Sequence, residues 1–242
     1  MSGRPAVGTP PPIAPRFDAL IAQADAEAPL KLGILGGTFD PVHLGHLHIA
    51  EQAYAQYGLT GVLFIPTGRP AWKLDRPISS AEDRIAMLSA ALSDNPHFDL
   101  CRLEIDRPGV TYTIDTLRTL KAYWADAVEL YFIVGADAAH ELSEWRDASA
   151  IATLVTILAA RRPGVLSEQS DGGLPFDLRP IDTVPLDISS SELRTLAAAG
   201  RSLRYVVPEP VRSYIREHGL YGEVAHEVVG EAADGAVREA IR

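Results

Sequence analysis

Six short apolar segments alternate along the chain with stretches that repeat their apolar residues at helical spacing. The strand candidates are KLGILGG, GVLFIP, FDLCRLEI, ELYFIVGAD, LVTILAAR and IDTVPLDI. Strands that are apolar throughout, without polar alternation, are typical of a parallel sheet that is covered on both faces. The pattern therefore predicts an α/β, doubly wound, Rossmann-like fold with a mainly parallel sheet and helices on both faces.

The stretches between these strands predict helices with recognisable ends. The first runs from about Leu44 to Tyr57 and ends before Gly58, a residue type that often follows the last helical turn. The second begins in SSAEDRIAML, where Ser79 and Glu82 have the spacing of a capping box. A third begins near Thr113, and two more are expected in SSSELRTLAAAG and PEPVRSYIREHG, which both end in glycine.

The chain divides into three parts by composition. Its 242 residues are enough for one large α/β domain, and residues 30–222 are expected to form it. Residues 1–29 are rich in Pro, Ala and Gly and predict a flexible leader with at most a short helix near Phe17 to Ala24. Residues 223–242 predict an acidic C-terminal appendage, and GVLSEQSDGGLP predicts a surface loop.

Charge and cysteine content narrow the class of protein. The 22 basic against 32 acidic residues give a net charge of −10, which argues against broad binding of nucleic acid or of an anionic membrane. The single cysteine, Cys101, excludes an internal disulfide and lies in an apolar run, as expected of an inert core thiol. No segment reads as a signal peptide or a membrane span. We expect a soluble, cytoplasmic protein, for which a homo-oligomer is a possible assembly.

Glycines and histidines follow the first predicted strand in GGTFDPVHLGHLHIA. Ligands of a doubly wound sheet bind beyond the carboxyl ends of the strands. Gly36 and Gly37 would let a phosphate approach the backbone, and the next helix would direct its N–H groups at the same place. His43 and His46 lie one turn apart and can face one anion, whereas His48 falls on a different face and is expected to be an ordinary helix residue.

A single histidine at the start of a helix is more often an ordinary surface residue than a ligand. Two such histidines together, directly after a buried strand, favour an anion-binding site. The stretch resembles the HxGH signature of the nucleotidyltransferase superfamily, whose histidines contact the phosphates of ATP. ISSSELR is similar to the second motif of that superfamily. The resemblance implies that ATP is held by Gly36, Gly37, Thr38, Phe39, Ile188, Ser189 and Ser190, with His43, His46 and Arg194 as catalytic residues on the triphosphate.

Four further segments select a branch of that superfamily. TYTIDTL, GAD, EW and RRPG together resemble bacterial nicotinate-nucleotide adenylyltransferases, and the resemblance covers about residues 31–222. It implies that a lysine, Lys73, completes the catalytic set, that Gly135 and Asp137 bind adenosine, and that the acceptor nucleotide is held by Thr111, Tyr112, Thr113 and Trp145. The chain departs from the family in GRPAWK, where Trp72 replaces a histidine and leaves the role of that position open.

Purely structural interpretations of several of these residues stay open. Trp145 could be a core tryptophan, Asp137 could cap a helix, and Arg161 and Arg162 could be solvated surface residues. Asp40 could approach a magnesium ion or simply form the turn before the next proline.

The implied activity is transfer of the adenylyl group from ATP to nicotinate mononucleotide, which gives nicotinate adenine dinucleotide and pyrophosphate in NAD biosynthesis. This chemistry needs positioning and charge neutralisation, not a nucleophilic side chain. Mg²⁺ would accompany ATP, and no dedicated metal cluster is expected. The alternatives are another HxGH enzyme that acts on nicotinamide mononucleotide, phosphopantetheine or a cytidylyl donor, or a nucleotide-binding sensor without turnover.

Overall fold

Helices and strands alternate along the chain in the computed structural model, which describes residues 13–23, 28–70, 78–160 and 176–222. The helices are α1 (Pro15–Gln23), α2 (Leu44–Tyr57), α3 (Ala81–Leu92), α4 (Thr113–Trp124), α5 (Ala136–Glu141), α6 (Ala148–Leu154), α7 (Ser190–Ala198) and α8 (Glu209–Glu217). The strands are β1 (Leu30–Gly37), β2 (Gly61–Pro66), β3 (Arg69–Pro70), β4 (Phe98–Leu100), β5 (Val110–Thr111), β6 (Val128–Val134), β7 (Thr156–Ala160) and β8 (Leu178–Ile181). Short 3₁₀ turns cover Ala125–Ala127, Leu142–Glu144 and Leu220–Gly222.

Within these ranges, six strands form one parallel sheet in the order β4-β2-β1-β6-β7-β8, and β3 pairs with β5 in a separate parallel pair. In the middle of the sheet, Ile34 of β1 lies opposite Leu63 of β2 and Phe132 of β6. The chain winds outward from β1 in one direction and from β6 in the other. The order therefore reverses between β1 and β6, which confirms the predicted doubly wound fold.

The strands are buried on both faces, as the unbroken apolar runs predicted. Leu32 and Ile34 of β1 belong to a core cluster with residues of α1, α4 and α6. Leu35 of the same strand belongs to a second cluster with residues of α2, α3, α7 and α8. Cys101 is buried beside β4, and burial raises the pKa of its thiol to about 12, so that it stays protonated and inert as expected.

The predicted helix ends are confirmed at most positions and shifted at one. α2 ends at Gly58, whose φ of 58° is the left-handed conformation that glycine adopts most easily. α3 begins one residue later than predicted, because its N-cap is Ser80, whose hydroxyl accepts a hydrogen bond from the Asp83 N–H at 3.1 Å. The N–H of Ser79 instead donates to the Asp40 carboxylate at 3.3 Å.

Two of the predicted strands are wrong in extent or in kind. FDLCRLEI forms a strand only over β4, because the chain turns afterwards and the Asp106 N–H donates to the Arg102 carbonyl at 2.9 Å. IDTVPLDI overlaps β8 only at Ile181, and residues 182–188 form no strand. Val184 and Leu186 in this segment are 67% and 43% exposed, and Pro185 between them has no N–H to donate to a neighbouring strand.

Part of the segment expected to be a flexible leader packs on the domain. α1 coincides with the short helix that the sequence allowed, and its Phe17 is only 1% exposed in the core. Asp18 accepts a hydrogen bond from Trp124 Nε1 at 2.8 Å, and Arg16 donates to the Phe98 carbonyl at 3.0 Å. Residues 13–23 thus differ from the prediction, because one buried aromatic ring and these polar contacts hold them.

Several expectations concern residues outside those that the structure describes. They include the remaining leader at residues 1–12, the surface loop at 164–175 and the acidic appendage at 223–242. Among the described residues, no helix combines the length and the apolar character that crossing a membrane requires.

Replacing the buried ring of α1 tests whether this helix is part of the fold. We expect Phe17→Ala to lower the free energy of unfolding by about 3 kcal/mol, since it removes an aromatic side chain from the core. The measurement is urea denaturation, with Leu20→Ala on the same helix as the control because Leu20 is 44% exposed. Equal stability of the two variants would show that α1 is not packed in solution.

Candidate active site

A large cavity opens where the strand order reverses. Its volume is about 1030 Å³, at the upper end of the usual range for ligand sites. The carboxyl ends of four neighbouring strands line it through Gly37 of β1, Ile65 of β2, Val134 of β6 and Ala160 of β7. The cavity therefore lies where doubly wound sheets bind their ligands.

Nearly all residues predicted for the site from the sequence line this cavity. They are Gly36, Gly37, Thr38, Phe39, His43, His46, Thr111, Tyr112, Thr113, Gly135, Trp145, Ile188, Ser189, Ser190 and Arg194. Lys73, Trp72, Arg161 and Arg162 lie outside the described residues, and Asp137 is placed only by its backbone in α5. The structure thus brings the predicted residues together, while their individual roles stay predictions.

The two histidines of the HxGH stretch stack on each other at the start of α2. Their ring centroids are 3.7 Å apart, and His43 is the N-cap and only 5% exposed. The His43 backbone N–H donates to His46 Nδ1 at 3.3 Å, so a neutral His46 carries its own proton on Nε2. Burial lowers the pKa of His43 to about 4, which keeps this ring neutral at pH 7.

Two glycines make room for aromatic rings in this loop. A Cβ at Gly45 would lie 3.0 Å from His43 Nδ1, and one at Gly37 would lie 3.1 Å from the Phe39 ring. At the start of α2, the Leu44 N–H is already bonded to the Val206 carbonyl at 3.0 Å. The immediate task of these two glycines is therefore to let rings pack closely, in addition to any approach of a phosphate to the backbone.

The ISSSELR segment docks directly on the HxGH stretch. Arg194 of α7 donates from Nη1 to the Asp40 carbonyl at 2.8 Å, and the Ser190 hydroxyl donates to the Pro41 carbonyl at 2.9 Å. Ser189 caps α7 by accepting a hydrogen bond from the Glu192 N–H at 3.3 Å. Two motifs about 150 residues apart thus form one wall of the cavity.

A buried arginine that the sequence analysis missed holds this wall from behind. Arg84 of α3 is 3% exposed and donates to the carbonyls of Thr38 at 3.0 Å, Thr67 at 2.8 Å and Ser79 at 3.2 Å. Burial lowers the pKa of its guanidinium, whereas the nearby Asp40 carboxylate raises it. The signal in the sequence was a charged residue four positions before Leu88, on the apolar face of the helix.

Asp40 is buried at 2% exposure and both of its carboxylate oxygens have protein donors. Oδ1 accepts from the Tyr221 hydroxyl at 2.6 Å, and Oδ2 accepts from the Ser79 N–H. Burial, followed by the Asp40 charge, raises the pKa of Tyr221 above its ordinary value. These contacts favour the turn-forming role of Asp40 over a metal-binding one. In the described ranges, no three His, Cys, Asp or Glu residues come together as a metal site.

The opposite wall of the cavity is formed by the start of α4 and by the segment after α5. Tyr112 is the N-cap of α4, and Thr111 before it is 6% exposed. The Trp145 indole is half-buried and meets the Phe132 ring edge to face, with centroids 5.8 Å apart. Trp145 is thus a wall residue with a face toward the cavity, not a core tryptophan.

Three further residues of the cavity were not predicted from the sequence. Glu104 is 8% exposed and accepts a hydrogen bond from the Thr116 hydroxyl at 2.8 Å, and burial raises the pKa of its carboxyl. The Arg146 guanidinium lies over the Tyr112 ring, 4.5 Å from its centroid. His48 also lines the cavity, although its position had placed it on another face of α2, and its ordinary role stays a prediction. It lies three residues from Gly45, close to the same face of α2.

Comparison with known proteins first defines the class. A model of the cytidylyltransferase-like family matches residues 34–196. This range contains both the HxGH stretch and the ISSSELR segment. The match agrees with the nucleotidyltransferase fold and with the position of the cavity.

More specific relatives define the branch. A probable nicotinate-nucleotide adenylyltransferase of Dehalococcoides mccartyi (strain CBDB1) is 44% identical over 198 residues, which cover 79% of this chain and 97% of the relative. A protein of the same name from Corynebacterium kroppenstedtii is 42% identical over 192 residues, or 79% of this chain and 90% of the relative. The chain belongs to the nicotinate-nucleotide adenylyltransferase family of enzymes, which confirms the resemblance seen in the sequence.

Solved structures share the fold. The nicotinic acid mononucleotide adenylyltransferase of Plasmodium falciparum, complexed with NaAD, has a TM-score of 0.69 at 18% identity and covers 81% of this chain and 98% of its own. A putative nicotinate-nucleotide adenylyltransferase from Vibrio parahaemolyticus has a TM-score of 0.60, also at 18% identity, over 81% of this chain and 97% of its own. At this identity the likeness shows a common architecture.

The neutral, buried state of His43 predicts a loss of stability in acid. Its pKa is about 4 in the folded protein and about 6.5 in an unfolded chain. Between these values the unfolded state binds the extra proton, so stability is unaffected above pH 6.5 and is lost as the pH falls toward 4. We expect this residue to lower the free energy of unfolding by about 2.5 kcal/mol between pH 7.5 and pH 4.5.

His43→Gln removes the titrating ring and provides the comparison. Urea denaturation of both proteins at the two pH values should show a smaller fall in the variant, by about the same 2.5 kcal/mol. Other groups that titrate in this range contribute equally to the free energy of unfolding of both proteins, so their effect cancels in the comparison. An equal fall in the two would mean that His43 is not buried in its neutral form.

Proposed function

We propose that the protein transfers the adenylyl group of ATP to nicotinate mononucleotide, forming nicotinate adenine dinucleotide and pyrophosphate for NAD synthesis. The observation that carries this proposal is one cavity of about 1030 Å³ with the two phosphate motifs on one wall and the start of α4 with Trp145 on the other. A cavity of this size accommodates two nucleotides. The names of the relatives and the NaAD in the Plasmodium structure support the same pair of substrates.

The wall of α2 and α7 suits the triphosphate of ATP. His43 and His46 provide ring N–H donors, and Arg194 brings a fixed positive charge between the two motifs. The neutral His43 imidazole can donate a hydrogen bond to a phosphate oxygen at pH 7, because burial lowers its pKa to about 4. Gly36 to Phe39 and Ile188 to Ser190 are assigned to ATP on the same wall, Gly135 and Asp137 to its adenosine, and Lys73 to its phosphates.

The wall of α4 suits the acceptor. The α4 N-terminus directs partial positive charge toward the cavity beside Thr111, Tyr112 and Thr113. The half-buried Trp145 indole offers a flat apolar surface on which a pyridine ring can stack. The two walls would then hold the acceptor phosphate and the α-phosphorus of ATP side by side.

The reaction requires no covalent intermediate on the protein. An oxygen of the acceptor 5′-phosphate attacks the α-phosphorus in line, the new P–O bond forms, and the bond to the bridging oxygen breaks as pyrophosphate leaves. The protein stabilises the negative charge that grows on the departing phosphates through hydrogen bonds from His43 and His46 and through the positive charges of Arg194 and Lys73. Mg²⁺ would enter bound to ATP and shield its oxygens, since the carboxylate of Asp40 is engaged by protein donors. A cytoplasmic location belongs to the same proposal.

The function is tested by supplying purified protein with ATP, Mg²⁺ and one acceptor at a time. The acceptors are nicotinate mononucleotide, nicotinamide mononucleotide and phosphopantetheine, and the measurement is release of pyrophosphate. We expect fastest release with nicotinate mononucleotide, because its pyridine ring fits the Trp145 wall. Release with phosphopantetheine alone would assign another acceptor, and binding of ATP with no release at all would indicate a sensor.

His46→Ala tests the catalytic role of the stacked histidines. We expect kcat to fall about a hundredfold or more, because the variant loses a donor to the charge that develops in the transition state. The matched control is His218→Ala, a histidine on the surface at the end of α8 and away from the cavity. Near-normal turnover of a folded His46→Ala protein would make the HxGH stretch structural. His48 does not serve as the control, since it lines the cavity.

A further inference from the structure

Arg146 differs from the other arginines that surround the cavity. Arg84 and Arg194 donate hydrogen bonds to protein carbonyls. Arg146 is exposed, lines the cavity and lies over the face of the Tyr112 ring at 4.5 Å. Among the described residues, no carboxylate lies within ion-pair distance of its guanidinium. Arg146 is therefore a positioned positive charge without an ion-pair partner in the part of the chain that the structure describes.

Among the described residues, no acceptor engages the N–H groups of the Arg146 guanidinium, whose carbon lies over the Tyr112 ring. An arginine that packs face-on against an aromatic ring keeps its in-plane N–H groups for other partners. These donors form a planar fork that matches a carboxylate in two parallel hydrogen bonds. The ring fixes the guanidinium on the cavity wall, so little side-chain freedom is lost when an anion binds.

Its position is at the acceptor end of the cavity. Arg146 directly follows Trp145, the residue assigned to the pyridine ring, and its ring partner Tyr112 caps α4. The phosphate-binding residues His43 and Arg194 lie on the opposite wall, formed by α2 and α7. A charge at this end thus faces the pyridine and its substituent, and the acceptor phosphate must extend away from it toward ATP.

We propose that Arg146 is a specificity-determining residue that recognises the ring carboxylate of the acceptor and disfavours the corresponding amide. This inference rests on the proposed function. A carboxylate accepts both hydrogen bonds of the fork and neutralises its charge. A carboxamide offers one oxygen, directs an NH₂ group at the other donor and leaves the guanidinium unpaired.

The test is the ratio of kcat/KM for nicotinate mononucleotide to that for nicotinamide mononucleotide. We expect Arg146→Gln to lower this ratio about tenfold or more, which is the effect of losing one charge-assisted interaction. The loss should lie in a raised KM for the acid, while KM for the amide should stay the same or fall, because the unpaired guanidinium is gone. Arg146→Lys should recover part of the ratio, because it keeps the charge but not the fork. Arg201→Gln, an exposed arginine outside the cavity lining, controls for net charge.

A second variant tests the role of the aromatic platform. Tyr112→Leu removes the ring beneath the guanidinium and should lower the acid-to-amide ratio in the wild-type background. In the Arg146→Gln background the same change should leave the ratio as it is, since the two residues act through one contact. Additive effects on the ratio would contradict the proposed pairing.

The possible outcomes separate this inference from the proposed function. If Arg146→Gln impairs both acceptors equally, the residue acts on their common phosphate and the inference is overturned. An unchanged ratio with normal rates also overturns it, while the adenylyltransferase assignment stands. If wild-type protein releases pyrophosphate with neither pyridine nucleotide, the proposed function itself fails, whatever the variant does.

Discussion

The cavity wall formed by α2 and α7 depends on the hydrogen bonds of the buried Arg84 guanidinium. Its donors join the loop after β1, the loop after β2 and the start of α3 through the carbonyls of Thr38, Thr67 and Ser79. A buried charge with an unmade hydrogen bond is costly, so these three segments can depart little from their positions. Asp40 supplies the opposite charge nearby and is itself held by Tyr221. The shape of the cavity wall is therefore set by a contact that no ligand touches.

The two walls of the cavity differ in the kind of charged and polar groups that they present. At the triphosphate wall, burial keeps His43 neutral, and Arg194 is bonded to the Asp40 carbonyl. Such groups donate hydrogen bonds in fixed directions and need little reorganisation when negative charge develops. At the acceptor wall, Trp145 provides an apolar face and Arg146 an unpaired cation. Under the proposed function, the first arrangement would serve the chemistry of transfer and the second the choice of acceptor.

Sequence patterns predicted those strands and helices whose local hydrophobic pattern matches their burial in the folded domain. The strands β1, β2 and β6 are apolar on both faces, and α2 and α4 have clear ends, so their place in the fold could be read directly. Prediction failed where apolar residues face solvent or a cavity, as Val184 and Leu186 do, because hydrophobicity alone does not tell a strand from a cavity rim. Phe17 and Arg84 were missed for the opposite reason. Each of these side chains is buried by residues that are distant in the chain, and that information is not local.

The bond between Tyr221 and Asp40 joins the last described turn of the domain to its first loop. During synthesis the loop emerges from the ribosome well before the tyrosine that completes its hydrogen bonds. The central strands and α2 can assemble earlier, since their partners lie within the first part of the chain. A nascent chain thus holds a nearly finished sheet with an Asp40 carboxylate that still lacks this donor. The hydrogen bond from Tyr221 to Asp40 can form only after translation has passed the last described turn.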